Sequence, residues 1–269
     1  MKNAYTTILC NGEGYLPGVE ALGSSLKASG THEPMVLMVT PEVRPVTRDR
    51  LTEQGWTVRE VQPIANPNAS TQQMLPRFGA AYTKLRAWEL VDFDRVVFLD
   101  ADTIVLKNVD DLFARPEIAA APDFFLPDRF SSGVMVLEPS LAKFDRMVRS
   151  LAEAQSYDGG DQGFLNLFFA DWYAMPVEHR LPVGYNMAHF IYQFMHAHPS
   201  TWDKLQSEIK IVHYLIQKPW RTKSTLTGAS ELWWDAYFRV HPEKEHNWQH
   251  LIHEVEDWSF DKLAHWIVG

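Results

Sequence analysis

Two five-residue runs, Met35–Val39 (MVLMV) and Arg95–Leu99 (RVVFL), are apolar almost throughout. A strand with one wet face alternates apolar and polar residues; an unbroken apolar run fits a strand covered on both faces. The segments around them carry helical spacing. Leu16, Val19, Leu22 and Leu26 place one apolar stripe on a helix over Leu16–Ala28, stopped by Gly30, and Val43–Gln54 is a second helix. Tyr5–Cys10 and the alternating Trp56–Val61 complete a β-α-β-α-β series, with a loop over Pro63–Ser70 and a helix over Gly79–Glu89. That order predicts an α/β fold: a Rossmann-like, mainly parallel sheet with helices on both faces. Beyond Asp110 the pattern predicts short strands at Ile118–Ala121, Gly133–Leu137 and Trp172–Met175. It predicts helices at Leu141–Ala154 and Asp161–Phe169, and a helical C-terminal tail from Ala229, broken at Pro242.

Composition removes several functions. The chain has 269 residues, 46% of them hydrophobic and 22% charged, enough to bury a core. A net charge of -9 opposes sequence-independent nucleic-acid binding. No run of about 18 apolar residues marks a membrane span. The opening MKNAYTTILCNGEGYL is too polar for a signal peptide. The single cysteine, Cys10, cannot build a disulfide framework and is expected to be a small buried hydrophobe. The expected setting is cytoplasmic.

The Arg95–Leu99 run ends in Asp100-Ala101-Asp102. Ligands of open α/β sheets bind beyond the carboxyl ends of strands. Two carboxylates two residues apart there can converge on one hard cation, Mn²⁺ or Mg²⁺. Ser131 and Ser132 enter a later strand with two small hydroxyls that can bond a sugar. Tyr157-Asp158-Gly159-Gly160-Asp161-Gln162 gathers two carboxylates and an amide on a glycine-rich turn. Asp161 is placed to cap the helix that follows, a reading that leaves Asp158 and Gln162 unexplained. His213, after Ile211-Val212, is a candidate third metal ligand, and Lys218 a point charge for diphosphate.

These pieces resemble glycosyltransferase family 8, in its glycogenin-like branch. The matching segments are NGEGYLPGVEALGSSL, YTKLRAWEL, VVFLDADTIVLKNVDDLF, AAPD, FSSGV, YDGGDQGFLN, LPVGYN and VHYLIQKPW, in order from about residue 4 to residue 221. The resemblance implies a GT-A fold over 1–221, with 222–269 as a helical extension packed on the same domain. It implies a retaining hexosyltransferase that uses a UDP-sugar, with glucose the expected sugar, and Mn²⁺ or else Mg²⁺. Asp100, Asp102 and His213 would hold the metal. Leu9, Asn11, Gly12 and Tyr15 would cradle uracil and ribose, and Arg77 would contact the nucleotide. Ala101 would lie between the metal-binding carboxylates at the donor. Lys84, Ser131 and Ser132 would touch the donor sugar or diphosphate. Asp158, Asp161 and Gln162 would line the sugar site, and Lys218 would hold the β-phosphate. Lys84, Asp161 and Gln162 are the catalytic candidates, with Asp161 either positioning the sugar or forming a covalent intermediate. The resemblance allows a homodimer, and makes Tyr192 a candidate self-acceptor. The flanking Phe190, Ile191 and Phe194 instead place Tyr192 on a packed amphipathic helix.

Other functions compete. A galactinol-synthase-like or polysaccharide-directed enzyme would act on a free acceptor. A nucleotidyltransferase would carry an arginine in the loop after the first strand, which NGEGYLPG lacks. A non-catalytic sugar-binding protein would not need Asp100, Asp102 and His213. His246, His250 and His253 permit a zinc pair but read better as a solvated helix face. Trp233, Trp234 and Trp248 read as core. Truncating Lys84 or Lys218 is expected to slow turnover and to move thermal stability little.

Overall fold

The computed structural model describes residues 1–67, 76–197, 203, 205–221 and 228–245, and at 76–80 and 206 the backbone alone. The Arg77 side chain, His246, His250, His253, Trp248 and the tail beyond them lie outside the described residues.

The main sheet has the order β3-β2-β1-β4-β7-β6. It comprises β1 (Asn3–Leu9), β2 (Met35–Val39), β3 (Thr57–Glu60), β4 (Arg95–Leu99), β6 (Ala119–Pro122) and β7 (Phe130–Leu137). The pairs β1–β2, β1–β4 and β2–β3 are parallel; β7 runs antiparallel to β4 and to β6. The mainly parallel sheet expected from the apolar runs therefore holds for the first four strands, with an antiparallel pair added at one edge.

Strand alternation splits the core into two layers. Tyr5, Leu37, Val39, Val97 and Leu99 face α1 (Leu16–Ala28), where Val19, Leu22 and Leu26 meet them. The intervening Ala4, Val36, Met38, Val96 and Phe98 face the opposite layer. That layer holds Phe144 and Met147 of α3 (Leu141–Ser150) and Phe164 and Leu165 of α4 (Asp161–Phe168). Every residue of MVLMV and the last four of RVVFL are buried because each face has a helical cover. Each such aliphatic side chain contributes about 1.5–3 kcal/mol relative to exposure.

Two segments depart from expectation. Pro76–Glu89 is helical but 3-10 rather than α. Its buried Tyr82, Leu85 and Trp88 recur every third residue, which suits a helix of three residues per turn. Trp172–Met175 is not a strand. Trp172–Ala174 forms a 3-10 turn, with the Trp172 ring in the second core layer and its Nε1 donating to the His179 carbonyl at 3.1 Å. A short apolar stretch cannot distinguish these by periodicity.

A small second sheet, β5 (Thr103–Val105), β9 (Ile211–His213) and β8 (Met187–Ala188), lies beside the first. Its register sets Thr103 against His213. It packs with α5 (His189–His196), α6 (Ala229–Phe238) and Ala21 of α1 in a third core holding Trp233 and Trp234. Among the described residues no helix is long and apolar enough to cross a membrane. The short α2 (Pro45–Glu53) follows β2 and ends near β3.

Candidate active site

The site starts where β1 ends. Asn11 (φ 57°) and Gly12 (φ 81°) are both left-handed, a conformation that favours asparagine and glycine and reverses the chain in two residues. The Asn11 N–H donates to Glu42 at 2.9 Å. Glu13 then bonds Arg44 through Nε at 3.0 Å and Thr47 through its hydroxyl at 2.7 Å. The Arg44 hydrogen bonds hold the Glu13 carboxyl down to about 2. A carboxylate with a depressed folded pKa stabilises above its unfolded pKa, and the gain is lost as pH falls from about 4.5 towards 2. Because Arg44 is exposed, the gain is small. The stability difference between wild type and Glu13→Gln should be present at pH 6 and vanish near pH 2 in denaturant titrations. The turn presents Tyr15, whose ring meets Trp220 edge-on at 5.6 Å and lies 5.1 Å from the Arg221 guanidinium.

β4 delivers Asp100 and Asp102 at its carboxyl end, the Asp100 N–H donating to the Gly133 carbonyl at 2.8 Å. The β5–β9 register brings His213 to the same place. Nε2 of His213 lies 3.1 Å from Asp102 Oδ1 and 3.8 Å from Asp100 Oδ2. One ligand atom from each residue falls within 4.8 Å of the others. Gly133 makes this possible, since a Cβ there would sit 2.1 Å from His213 Cε1. Nδ1 of His213 lies 2.9 Å from Asn186 Oδ1. An Asn186 oxygen accepts only from Nδ1–H, which leaves the Nε2 lone pair facing the carboxylates, the tautomer a metal requires. Two hard oxygen donors and one imidazole fit Mn²⁺ or Mg²⁺. Asn186→Ala should weaken divalent-metal affinity by about 10–100-fold, measured by titration of Mn²⁺ against the folded protein.

Two buried lysines share these carboxylates. Lys84 Nζ lies 3.0 Å from Asp100 Oδ1 and 2.5 Å from Asp161 Oδ2, and donates to Ser132 Oγ at 3.1 Å. Burial alone would lower the Lys84 pKa; Asp100 and Asp161 outweigh it and the pKa goes up, so the ammonium stays charged. Lys218 donates to Asp102, to the Tyr214 carbonyl at 2.5 Å and to the Leu215 carbonyl at 3.0 Å. Burial would raise Asp102, but the Lys218 ammonium outweighs it and holds the carboxyl well below the carboxylate range. The expectation that either lysine can be truncated with little loss of stability therefore changes, because each removal strands a buried carboxylate.

The glycine-rich turn divides its work differently from the sequence reading. Asp158, not Asp161, caps α4: its Oδ1 accepts from the Gly160 N–H at 2.9 Å and the Gly163 N–H at 3.0 Å. Asp161 is turned to Lys84 and to the Ser132 hydroxyl at 2.9 Å. Gln162 accepts from the Ser132 N–H and donates to Asp123 and to the Tyr157 hydroxyl, each at 3.1 Å.

A cavity of about 510 Å³ joins Asn11 and Tyr15 at one side to Lys84, Asp161 and Gln162 at the other, with Asp100, Ala101, Asp102, His213 and Lys218 between. Ser132 and Asp158 also line it. Leu9, Gly12 and Ser131 do not: Leu9 fills the first core layer, Gly12 shapes the turn, and Ser131 is buried beside Ser132. Cys10 is half-buried just past β1 and lines the cavity rather than the core, and burial pushes its thiol up to about 11. Sequence reasoning assigned no role to Asn186, Asp123, Tyr157 or Arg221. Tyr192 is 8% exposed in the third core and lines a separate cavity with Ser25, Ile104 and Arg239.

The architecture matches solved glycosyltransferases. The galactosyltransferase LgtC, solved with donor and acceptor sugar analogs, superposes with a TM-score of 0.63 over 92% of this chain and 100% of its own, at 18% identity. The glycosyltransferase GlyE of Streptococcus pneumoniae TIGR4 gives 0.63 over 96% and 66%, at 22% identity. The fold is the GT-A fold of sugar-transferring enzymes. The profile described as glycosyl transferase family 8 matches residues 6–123. Glycogenin-1 of Oryctolagus cuniculus is 36% identical over 254 residues, 87% of this chain and 75% of its own length. Glycogenin-1 of Caenorhabditis elegans is 36% identical over 246 residues, 90% of this chain and 56% of its own. Inositol phosphorylceramide glucuronosyltransferase 1 of Arabidopsis thaliana is 35% identical over 256 residues, 88% of this chain and 44% of its own. The chain belongs to glycosyltransferase family 8, and it spans about half the length of the nematode and plant relatives.

Proposed function

We infer that this chain is a retaining hexosyltransferase that moves a sugar, glucose first among candidates, from a UDP-sugar to an acceptor hydroxyl. The observation that carries the reading is the single cavity in which Asp100, Asp102 and His213 meet the Lys84–Asp161 pair. Asp100, Asp102 and His213 would hold Mn²⁺, which supplies charge neutralisation for a departing diphosphate. Tyr15 offers a ring face for the base, and the Asn11–Gly12 turn shapes the cradle around it. Lys84 holds Asp161 and Asp100 in place through its contacts with both carboxylates. Lys218 can reach a phosphate oxygen by exchanging Asp102 for it.

The transfer breaks the bond from the anomeric carbon to the phosphate oxygen, and the electron pair leaves with UDP. The acceptor oxygen forms the new bond to the same carbon, and its proton passes to the departing phosphate oxygen. Asp161 favours this front-face course over a covalent one. Its carboxylate is held by the Lys84 ammonium and the Ser132 hydroxyl, which lowers its nucleophilicity. Asp161 and Gln162 then position the sugar. The buried Tyr192 favours a free acceptor over self-modification, because an acceptor hydroxyl has to reach the cavity.

UDP release from UDP-glucose, UDP-galactose, UDP-xylose and UDP-glucuronate, with Mn²⁺ and with EDTA, tests the reading. One donor should turn over, EDTA should stop it and Mn²⁺ restore it. Release undiminished in EDTA after dialysis would remove the metal assignment; no release from any donor would remove the activity.

A further inference from the structure

Three phenylalanines stand together at the mouth of the cavity. Phe124 and Phe125 follow Asp123 on the segment between β6 and β7, and Phe190 lies in the first turn of α5. Phe124 meets Phe125 edge-on at 5.0 Å and Phe190 edge-on at 5.4 Å; Phe125 and Phe190 stack at 6.1 Å and 24°. Phe124 is 51% exposed and the adjacent Leu126 is 44% exposed. Contiguous apolar surface of this kind marks a place that a ligand covers.

The occupant follows from what the rings adjoin. Phe125 and Asp123 both line the catalytic cavity, and Asp123 accepts from Gln162. The patch is therefore the outward continuation of the sugar side of the cavity. Its polar neighbours are Asp123, the Asp128–Arg129 ion pair at 3.6 Å and the 46%-exposed Tyr157 hydroxyl. Flat rings beside hydrogen-bond acceptors suit a neutral sugar, whose C–H face stacks while its hydroxyls donate.

We propose that Phe124, Phe125 and Phe190 form an acceptor subsite for a pyranose ring of a free, neutral carbohydrate. This deepens the glycosyltransferase reading and rests on it. The ring stacks on the platform, and the hydroxyl beyond it enters the cavity beside Asp123 and Gln162, where the transfer proceeds as written above.

The test uses the full chain with Mn²⁺ and the donor that turns over. The probes are maltopentaose and xylopentaose as neutral glycans and N-acetyl-tyrosinamide as a non-sugar acceptor. Wild type should glycosylate at least one neutral glycan. Phe124→Ala and Phe190→Ala should each raise the KM for that glycan about ten-fold, the worth of one aromatic contact, with kcat little changed. Phe124→Trp should restore the KM, which a purely structural role would not predict. Unchanged glycan KM in both alanine variants, or wild-type transfer only to N-acetyl-tyrosinamide or to the protein itself, would overturn the subsite. UDP release without any glycan product would do the same. No UDP release from any donor would instead bring down the glycosyltransferase reading, so the two failures are separable.

Discussion

Asp102→Asn should lower kcat/KM by about 10²–10³-fold, the range for losing one preorganised electrostatic partner, and should lower the thermal midpoint as well. The second effect comes from burial. Asp102 accepts from Lys218 and faces His213 at 3.1 Å, and its side chain is 10% exposed. An amide retains one oxygen but not the charge, so the buried Lys218 ammonium loses the charged partner it donates to. Breaking a buried pair from one side costs about 3–5 kcal/mol. Steady-state kinetics and calorimetry on the same preparation check both parts. Wild-type turnover in the variant would remove Asp102 from the site.

Lys84→Met should be at least as damaging. Lys84 separates Asp100 from Asp161, with both carboxylates within 3.0 Å of its nitrogen, and the ammonium also lies 5.1 Å from the centre of the Phe98 ring. Methionine fills the volume and leaves two like charges facing each other in a buried site. The expected result is a stability loss of about 3–5 kcal/mol together with a turnover loss of about 10²–10³-fold. Lys84→Arg should not rescue either, because a planar guanidinium cannot reproduce three contacts made from one nitrogen. A normal melting curve with normal kinetics would show that the two carboxylates need no cation between them.

What could be read in the sequence follows from how each feature is encoded. MVLMV and RVVFL announce buried strands because burial on two faces needs apolar residues at every position, and the strand end then locates Asp100 and Asp102. His213 could be suspected from the two apolar residues before it. Its approach to Asp102 depends on the β5–β9 register and on Gly133, which no local pattern records. Asn186 was silent for the same reason: it reaches His213 from a turn 27 residues away. The stretch Gly79–Glu89 is legible as a helix, but its start at Pro76 and its 3-10 pitch are not. Ionisable residues are named by sequence but not paired by it. Asp161 therefore reads from sequence as the cap of α4, whereas in the structure Asp158 caps it and Asp161 holds Lys84.

The central claim is that Asp100, Asp102 and His213 bind a divalent ion at the place where a sugar nucleotide is bound. Crystals grown with MnCl₂ and UDP, measured at the manganese absorption edge, test it directly. The account predicts one strong anomalous peak among the three side chains, with UDP diphosphate against it and the base on Tyr15. UDP bound with no anomalous peak there, or a manganese peak elsewhere in the fold, would contradict it.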